Sequence, residues 1–309
     1  MADYVIHHFT HTDLDGVACS VLSHYMYDNN PSIDLIVTYC DYEDINQKVN
    51  ALLDSLDGQP HKYLLIMLTD ISVNADTAKR LEEFRLANSQ TASVLMLDHH
   101  QLPEDVKKNY KWAMVTSDGT QCGASLMYNY FMGDEGYPAA YDFTENVKAY
   151  DLWKFDPDTL CKPLRFQMLL NIFGRDAFAE MIVHELNEHP RAVIDLDFGW
   201  VGNLLREQFE QANQYIAKKT ETAKDVTYNG LYGKYVFAEQ HVSRLGNNML
   251  KAFPEADFAA VVQPPNRVSL RSRDDGVNVG LDIAKHFGGG GHHSAAGYTL
   301  NEPLLFTME

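Results

Sequence analysis

The chain has 309 residues, 45% of them hydrophobic, and a formal net charge of −18. This length accommodates two domains with separate cores, while the acidity disfavours binding along a long duplex polyanion. No apolar run approaches the roughly 20 residues a membrane span needs, and the first residues lack the basic start and cleavage site of a signal peptide.

Four cysteines, Cys19, Cys40, Cys122 and Cys161, show no metal-ligand spacing and read as reduced thiols of a cytoplasmic protein. The charge is uneven. Residues 231–309 carry seven Lys and Arg against eight Asp and Glu, so nearly all the acidic excess falls on residues 1–230. Part of that excess is the kind that bound cations offset, and a short phosphate-bearing substrate remains compatible with it.

In chain order, residues 4–10 form a β-rich run, followed by a turn at Asp15-Gly16 and a helical stretch over 17–27. Residues 33–39 are strand-like and 44–56 helical; 62–69 is a continuous apolar strand, and 74–87 a helix that Asn74 can cap. Residues 93–97 form another buried strand. Continuous apolar strands separated by helices predict a parallel sheet covered on both faces. From Thr116 the pattern turns helical, with candidates at 121–131 and 143–152. Near Gly199 an amphipathic helix begins, with Val201, Leu204, Leu205, Phe209, Ala212 and Ile216 on one stripe. Strand-like runs return at 231–239, 256–263 and 267–273, and 279–287 reads as a helix ending at glycines. The expected fold is α/β. A parallel-sheet domain over 1–190 is joined by a helical linker, 191–229, to a smaller C-terminal α/β domain over 230–309.

The chemistry-bearing residues sit just after the strand-like runs, where ligands bind in parallel sheets. His11, Asp13 and Asp15 recur at a spacing of two, which an extended backbone would project to one side. Asp70 follows one apolar run and Asp98-His99-His100 another. Carboxylates and imidazoles converging on one point repel without a cation. Oxygen-dominated ligation with some imidazole favours Mn²⁺ or Mg²⁺ over structural zinc. Two such ions about 3.5–4 Å apart clamp a phosphate and acidify a bridging water, which makes a hydrolytic phosphoesterase site. Downstream, Gly288-Gly289-Gly290-Gly291-His292 combines a permissive backbone with an imidazole. A strand over 267–273 would set Arg267, Arg271 and Arg273 on one face.

Plainer readings compete at several positions. A lone Asp-His-His is often a solvated turn, and Asp151 in Ala149-Tyr150-Asp151-Leu152-Trp153 also fits an aromatic-packed helix surface. Arg267 and Arg273 also fit an exposed strand face. His7 and His8 share the first strand, so at least one is expected to face the core. The acidic run 41–44 reads as a helix N-terminus matched to its dipole.

Taken in order, the motifs from His11-Thr12-Asp13-Leu14-Asp15-Gly16 through Asp70 and Asp98-His99-His100 to the GGGH segment resemble the DHH phosphoesterase superfamily with a C-terminal DHH-associated domain. The likeness is nearest to the nano-RNase B type, which degrades short RNA oligomers, and it spans nearly the whole chain. It implies that His11 and Asp13 bind one metal ion, that Asp70 bridges two, and that Asp15, His99 and Asp151 bind the second. It also implies that His100 contacts the scissile phosphate, that Asp98 orients its neighbours, and that Arg271, His292, Gly289, Gly290 and Gly291 hold the terminal nucleotide or phosphate. Many relatives place the first-motif histidine where this chain has Phe9, and RecJ-type enzymes have an aspartate at the position of His11. The segment Cys122-Gly123-Ala124-Ser125 resembles another family stretch near the site, without an assigned role.

The resemblance thus implies a phosphodiesterase using two divalent cations, Mn²⁺ favoured with Mg²⁺ or Co²⁺ as alternatives. Its substrates would be short oligoribonucleotides, hydrolysed from one end to mononucleotides. Cyclic mono- or dinucleotides or a nucleotide monophosphate are the alternative substrates, and a non-catalytic nucleotide sensor is the reading from another class. Expected partners are a short oligonucleotide or small nucleotide and, compatibly, further copies of the chain; long duplexes and membranes are not expected.

Overall fold

The computed structural model describes residues 3–56, 63–100, 104–133, 136–197 and 199–300, with no side-chain detail at 104 and 105. The chain divides into two compact units, Met1–Leu205 and Arg206–Glu309.

The first unit begins β1 (Tyr4–His11), α1 (Leu14–Tyr27), β2 (Ile33–Cys40), α2 (Ile45–Leu56), β3 (Tyr63–Thr69), α3 (Ala75–Ala87) and β4 (Ala92–Asp98). It continues with α4 (Glu104–Asn109), β5 (Ala113–Val115), α5 (Gly123–Phe131), α6 (Pro138–Asp151), α7 (Lys162–Phe173) and α8 (Arg175–Glu188). The five strands are all parallel, in the order β2-β1-β3-β4-β5. The expected parallel sheet is therefore present.

Side-chain alternation explains the two covered faces. On β3 and β4, Met67, Leu95 and Leu97 enter one core layer with α1, α5, α6, α7 and α8. Their neighbours Ile66, Leu68, Val94 and Met96 enter a second layer with α2 and α3. β1 divides likewise, with Ile6 in the first layer and Phe9 in the second. Of the paired histidines, His8 is fully buried and His7 is half-buried.

Local capping sets several boundaries. α1 starts three residues earlier than the apolar pattern suggests, because the Asp13 carboxylate accepts a hydrogen bond from the Gly16 N–H at 3.1 Å. Asn74 caps α3 as expected, accepting from the Thr77 N–H at 2.9 Å. α6 begins with Pro138 in its first turn, where a missing N–H costs nothing. α7 and α8 lie beyond the helices that the sequence pattern predicts, because their buried residues (Phe166, Leu169, Phe178, Ile182) are interleaved with polar ones.

A long helix, α9 (Gly199–Glu221), crosses the division between the units. Five of its six stripe residues are buried and Leu204 is half-buried. The second unit then builds β6 (Lys224–Tyr228), β7 (Leu231–Phe237), α10 (Val242–Ala252), β8 (Phe258–Gln263) and β9 (Arg267–Arg271). It closes with α11 (Val279–Asp282), a 3₁₀ turn (Ala284–Phe287), β10 (Gly290–Gly291) and β11 (Ala295–Thr299). Its six strands form a mixed sheet, β10-β11-β9-β8-β7-β6, in which β7 and β8 alone pair in parallel. The helix expected over 279–287 is broken in two, and Gly288 ends it in the left-handed region at φ 76°. Among the described residues no helix is long and apolar enough to cross a membrane.

The three arginines do not share one face. β9 ends at Arg271, and Arg273 turns back to donate to the Leu250, Phe253 and Ala256 carbonyls at 2.7, 3.3 and 2.7 Å. It closes the C-terminal end of α10, whose last carbonyls lack helical partners. Replacing Arg273→Met should therefore lower stability by about 2–3 kcal/mol in urea unfolding, the scale of buried bonds to a charged donor. Arg273→Lys should recover less than half of that, because an ammonium lacks the guanidinium fork. An unchanged midpoint in Arg273→Met would refute this role.

Candidate metal centre

The site forms where three parallel strands end. β1 delivers His11 at its last position, the residue after β3 is Asp70, and β4 ends in Asp98 before His99-His100. β1 and β3 flank the point at which the strand order reverses, the crevice that open α/β sheets use for ligands. Asp70 turns out of its strand with a left-handed φ of 57°, uncommon for a residue other than glycine. Gly16 packs so closely on the His11 backbone that a Cβ there would overlap the His11 carbonyl.

The spacing-of-two expectation for His11, Asp13 and Asp15 fails in an informative way. The chain is extended through Asp13, but Asp15 lies in the first turn of α1. The helix start rotates Asp15 away from the other two. His11, Asp13 and Asp70 come together as one group, and Asp15, His99 and Asp151 as another. Asp70, His99 and His100 make a third, overlapping group that joins them. His11 Nδ1 lies 3.0 Å from Asp13 Oδ2 and 3.8 Å from Asp70 Oδ2. His99 Nε2 lies 3.2 Å from Asp70 Oδ1, 3.7 Å from Asp15 Oδ2 and 3.6 Å from Asp151 Oδ2. Asp151 reaches the cluster as the last residue of α6.

The carboxylates differ in what already binds them. Asp98 is fully buried and saturated. Its Oδ1 accepts from the His99 N–H at 2.7 Å, the His100 N–H at 3.1 Å and His100 Nδ1 at 2.9 Å, and its Oδ2 from the Ser72 hydroxyl. It shapes the His-His turn and aims the His100 ring. Asp15 accepts the first amides of α5, Gly123 N–H at 2.5 Å and Ala124 N–H at 2.8 Å, an anion at a helix N-terminus. Asp70 is 1% exposed, yet neither of its oxygens accepts a hydrogen bond from the described residues. A buried carboxylate with both oxygens orphaned fits a residue that shares its oxygens between cations.

The electrostatics point the same way. Burial, followed by the charges of Asp15 and Asp13, pushes the Asp70 carboxyl well above its usual range. Burial also raises Asp151, with Asp15, Asp13 and Asp98 adding to it. Burial alone would raise Asp98 too, but the His100 bond and charge hold it below its usual value. His100 is correspondingly raised: burial opposes its charged form, and Asp98 more than compensates.

Three contributors to the site were not legible as such. Gly123 is one. A Cβ there would lie 2.5 Å from Asp70 Cβ and 3.0 Å from Asp15 Oδ2, so only glycine lets α5 approach both aspartates. Ser72 is the second, through Asp98. Tyr42 is the third: half of it is exposed, and its ring centroid lies 5.4 Å from that of His11 and 5.9 Å from that of His100. In sequence, the run 41–44 that contains it shows only a helix start.

The residues expected to grip substrate belong to the second unit. Arg271 donates to Ser243 Oγ at 2.6 Å and to the Leu270 carbonyl at 2.8 Å. His292 is exposed, and its N–H donates to the Ala295 carbonyl at 2.7 Å. Gly289 and Gly291 are required by the chain itself. A Cβ at 289 would lie 2.5 Å from Tyr298 Cβ, and one at 291 would lie 2.6 Å from the Ala295 carbonyl oxygen. Gly290 has nothing within 4 Å of a Cβ position, so its side remains open.

A carboxyl that holds its proton more tightly folded than unfolded stabilises the fold below the unfolded pKa of about 3.9 and loses that contribution as pH rises. Asp70 is such a group, so in chelator Asp70→Asn should unfold at a higher temperature than wild type at pH 8. The difference should shrink as pH falls toward 5. With saturating Mn²⁺ the order should invert, because wild type gains binding energy that the variant lacks. Identical melting of both proteins in chelator across this range would sink the account of Asp70.

Residues 4–150 match the DHH family, N-terminal domain. The chain is 29% identical to the oligoribonuclease NrnB of Bacillus subtilis, over 98% of this chain and 75% of that protein. It is 22% identical to a 3',5'-cyclic-nucleotide phosphodiesterase of Helicobacter pylori, over 94% of this chain and 92% of the other. Among solved structures, CDC45 from Entamoeba histolytica aligns over 96% of this chain and 92% of that one, with a TM-score of 0.48 at 7% identity. Residues 4–150 thus carry a DHH family N-terminal domain.

Proposed function

We propose that this protein is a divalent-cation-dependent phosphodiesterase that hydrolyses short oligoribonucleotides from one end to mononucleotides. The observation that carries the reading is the orphaned, buried Asp70 carboxylate between two further groups of aspartate and histidine. His11, Asp13 and Asp70 would hold one ion; Asp15, His99 and Asp151, with Asp70 shared, would hold the other. The donor set is oxygen with imidazole and no thiolate, which suits Mn²⁺ and admits Mg²⁺ or Co²⁺. When bound, such ions polarise a phosphoryl oxygen and acidify water.

The protein's own groups do the rest. His100, aimed by Asp98, donates to a phosphate oxygen and stabilises charge developing there. Arg271, oriented by Ser243, and His292 hold the terminal phosphate or nucleotide, and Gly290, two residues before His292, offers open backbone. Its four cysteines are all free, which suits a reducing cytoplasm. The likeness to a cyclic-nucleotide phosphodiesterase supports a second reading with the same metal chemistry and a cyclic substrate.

The deciding experiment follows products from end-labelled RNA of two to five nucleotides, beside cyclic AMP, cyclic di-AMP and pyrophosphate, with Mn²⁺ or chelator. Stepwise, Mn²⁺-dependent release of mononucleotides is expected, and Asp70→Asn should lower it about 10²- to 10³-fold, as loss of a preorganised electrostatic group does. Turnover of a cyclic nucleotide alone would replace the substrate class and keep the site. No turnover of any of them would favour a nucleotide-binding sensor.

A further inference from the structure

Behind the carboxylates runs a line of polar side chains in a layer otherwise built of Ile6, Val21, Met67 and Leu95. Ser23 Oγ of α1 lies 2.8 Å from His8 Nδ1, and His8 Nε2 lies 2.7 Å from Thr69 Oγ1. Thr69 Oγ1 lies 2.9 Å from Thr10 Oγ1, and Thr10 Oγ1 lies 2.8 Å from the Gly16 carbonyl and 3.2 Å from that of Thr69. All four side chains are 0% exposed.

Counting protons gives this line one direction. Carbonyls only accept, so the single Thr10 hydroxyl proton points to Gly16, and the Thr10 oxygen must accept from Thr69. The Thr69 proton is then committed, so its oxygen accepts from a protonated His8 Nε2. Burial holds His8 neutral, with a pKa lowered to about 3 and His24 adding to the effect. Its Nδ1 is therefore bare and accepts from Ser23. Each donor of these four side chains then has an acceptor, and the buried Cys19 thiol also bonds Thr69 and Thr10 beside the line.

The line ends where the ligands begin. Thr10 precedes His11, Thr69 precedes Asp70, and Gly16 follows Asp15. Burying four polar side chains in an apolar layer is unfavourable unless each is paired, and an aliphatic side chain would fill such space without that requirement. What the polar line adds is a fixed spacing between the end of β1, the end of β3 and the first turn of α1.

We propose that Ser23, His8, Thr69 and Thr10 form a one-way hydrogen-bond relay that holds His11, Asp15 and Asp70 in register, so that His8 and Thr69 are positioning residues of the metal centre. This rests on the metal-dependent reading above. Removing an outer partner of metal ligands typically lowers affinity about 10- to 100-fold. Thr69→Val keeps the shape of the side chain, removes its hydroxyl, leaves His8 Nε2–H without an acceptor and takes from Thr10 the donor it accepts from. It should weaken Mn²⁺ binding by about that factor in calorimetric titration while circular dichroism shows a folded chain, and Thr69→Ser should restore it. Should Thr69→Val not fold, Ser23→Ala at the far end of the relay should still show a several-fold loss of affinity. Independently of metal, ¹⁵N NMR should show His8 neutral and protonated at Nε2.

A folded Thr69→Val with wild-type affinity, or a His8 protonated at Nδ1, overturns the relay. A wild-type protein that binds no Mn²⁺ overturns the metal reading itself, and the role of the relay falls with it.

Discussion

Mutual repulsion among buried carboxylates is the constraint on which the first unit turns. Asp70, Asp15 and Asp98 are each no more than 2% exposed, and Asp13 and Asp151 lie close by. Such a cluster is costly in a medium that hydrates charge poorly. The protein meets the cost differently at each member. Asp98 is neutralised by the His-His turn it organises, and Asp15 by the amides opening α5. The oxygens of Asp70 accept no hydrogen bond from the described residues, with the imidazoles of His99 and His11 at 3.2 and 3.8 Å. A cluster whose central aspartate accepts no hydrogen bond is one that a cation would compensate.

The sheet topology makes that gathering cheap in chain length. With β1 and β3 adjacent and their crossovers diverging to either side, three strand ends bring four ligand-bearing segments together without a long loop. The helix starts then divide the ligands. Because α1 begins at Leu14, Asp13 remains extended beside His11 while Asp15 turns toward His99 and Asp151. One capping residue thus separates two candidate coordination groups. The close approach of α5 depends equally on Gly123 having no side chain.

The second unit uses similar residue types for a mixture of purposes. Arg271 is held by Ser243, whereas Arg273 serves the end of α10. Of the glycines, 289 and 291 permit the β10–β11 pairing, and 290 has open space beside it. A basic or glycine-rich motif in sequence therefore mixes folding requirements with recognition, and only neighbours in space separate the two.

What the sequence determined alone was the alternation of strand and helix through residue 98, since continuous apolar strands and capped helices are written in local periodicity and in residues such as Asn74. The order of the acidic and histidine clusters after those strands was equally legible, because parallel sheets bind at strand ends. Later helices were less so: α7, α8 and α10 carry mixed polar faces whose burial depends on partners distant in sequence. Tertiary structure alone decided that Asp98 is saturated while the oxygens of Asp70 accept no hydrogen bond from the described residues, that a missing side chain at Gly123 admits α5, and that Ser72 holds Asp98. Each of these depends on pairing between residues far apart in the chain, and hydrogen-bond saturation is a property of three-dimensional neighbours that no local pattern encodes.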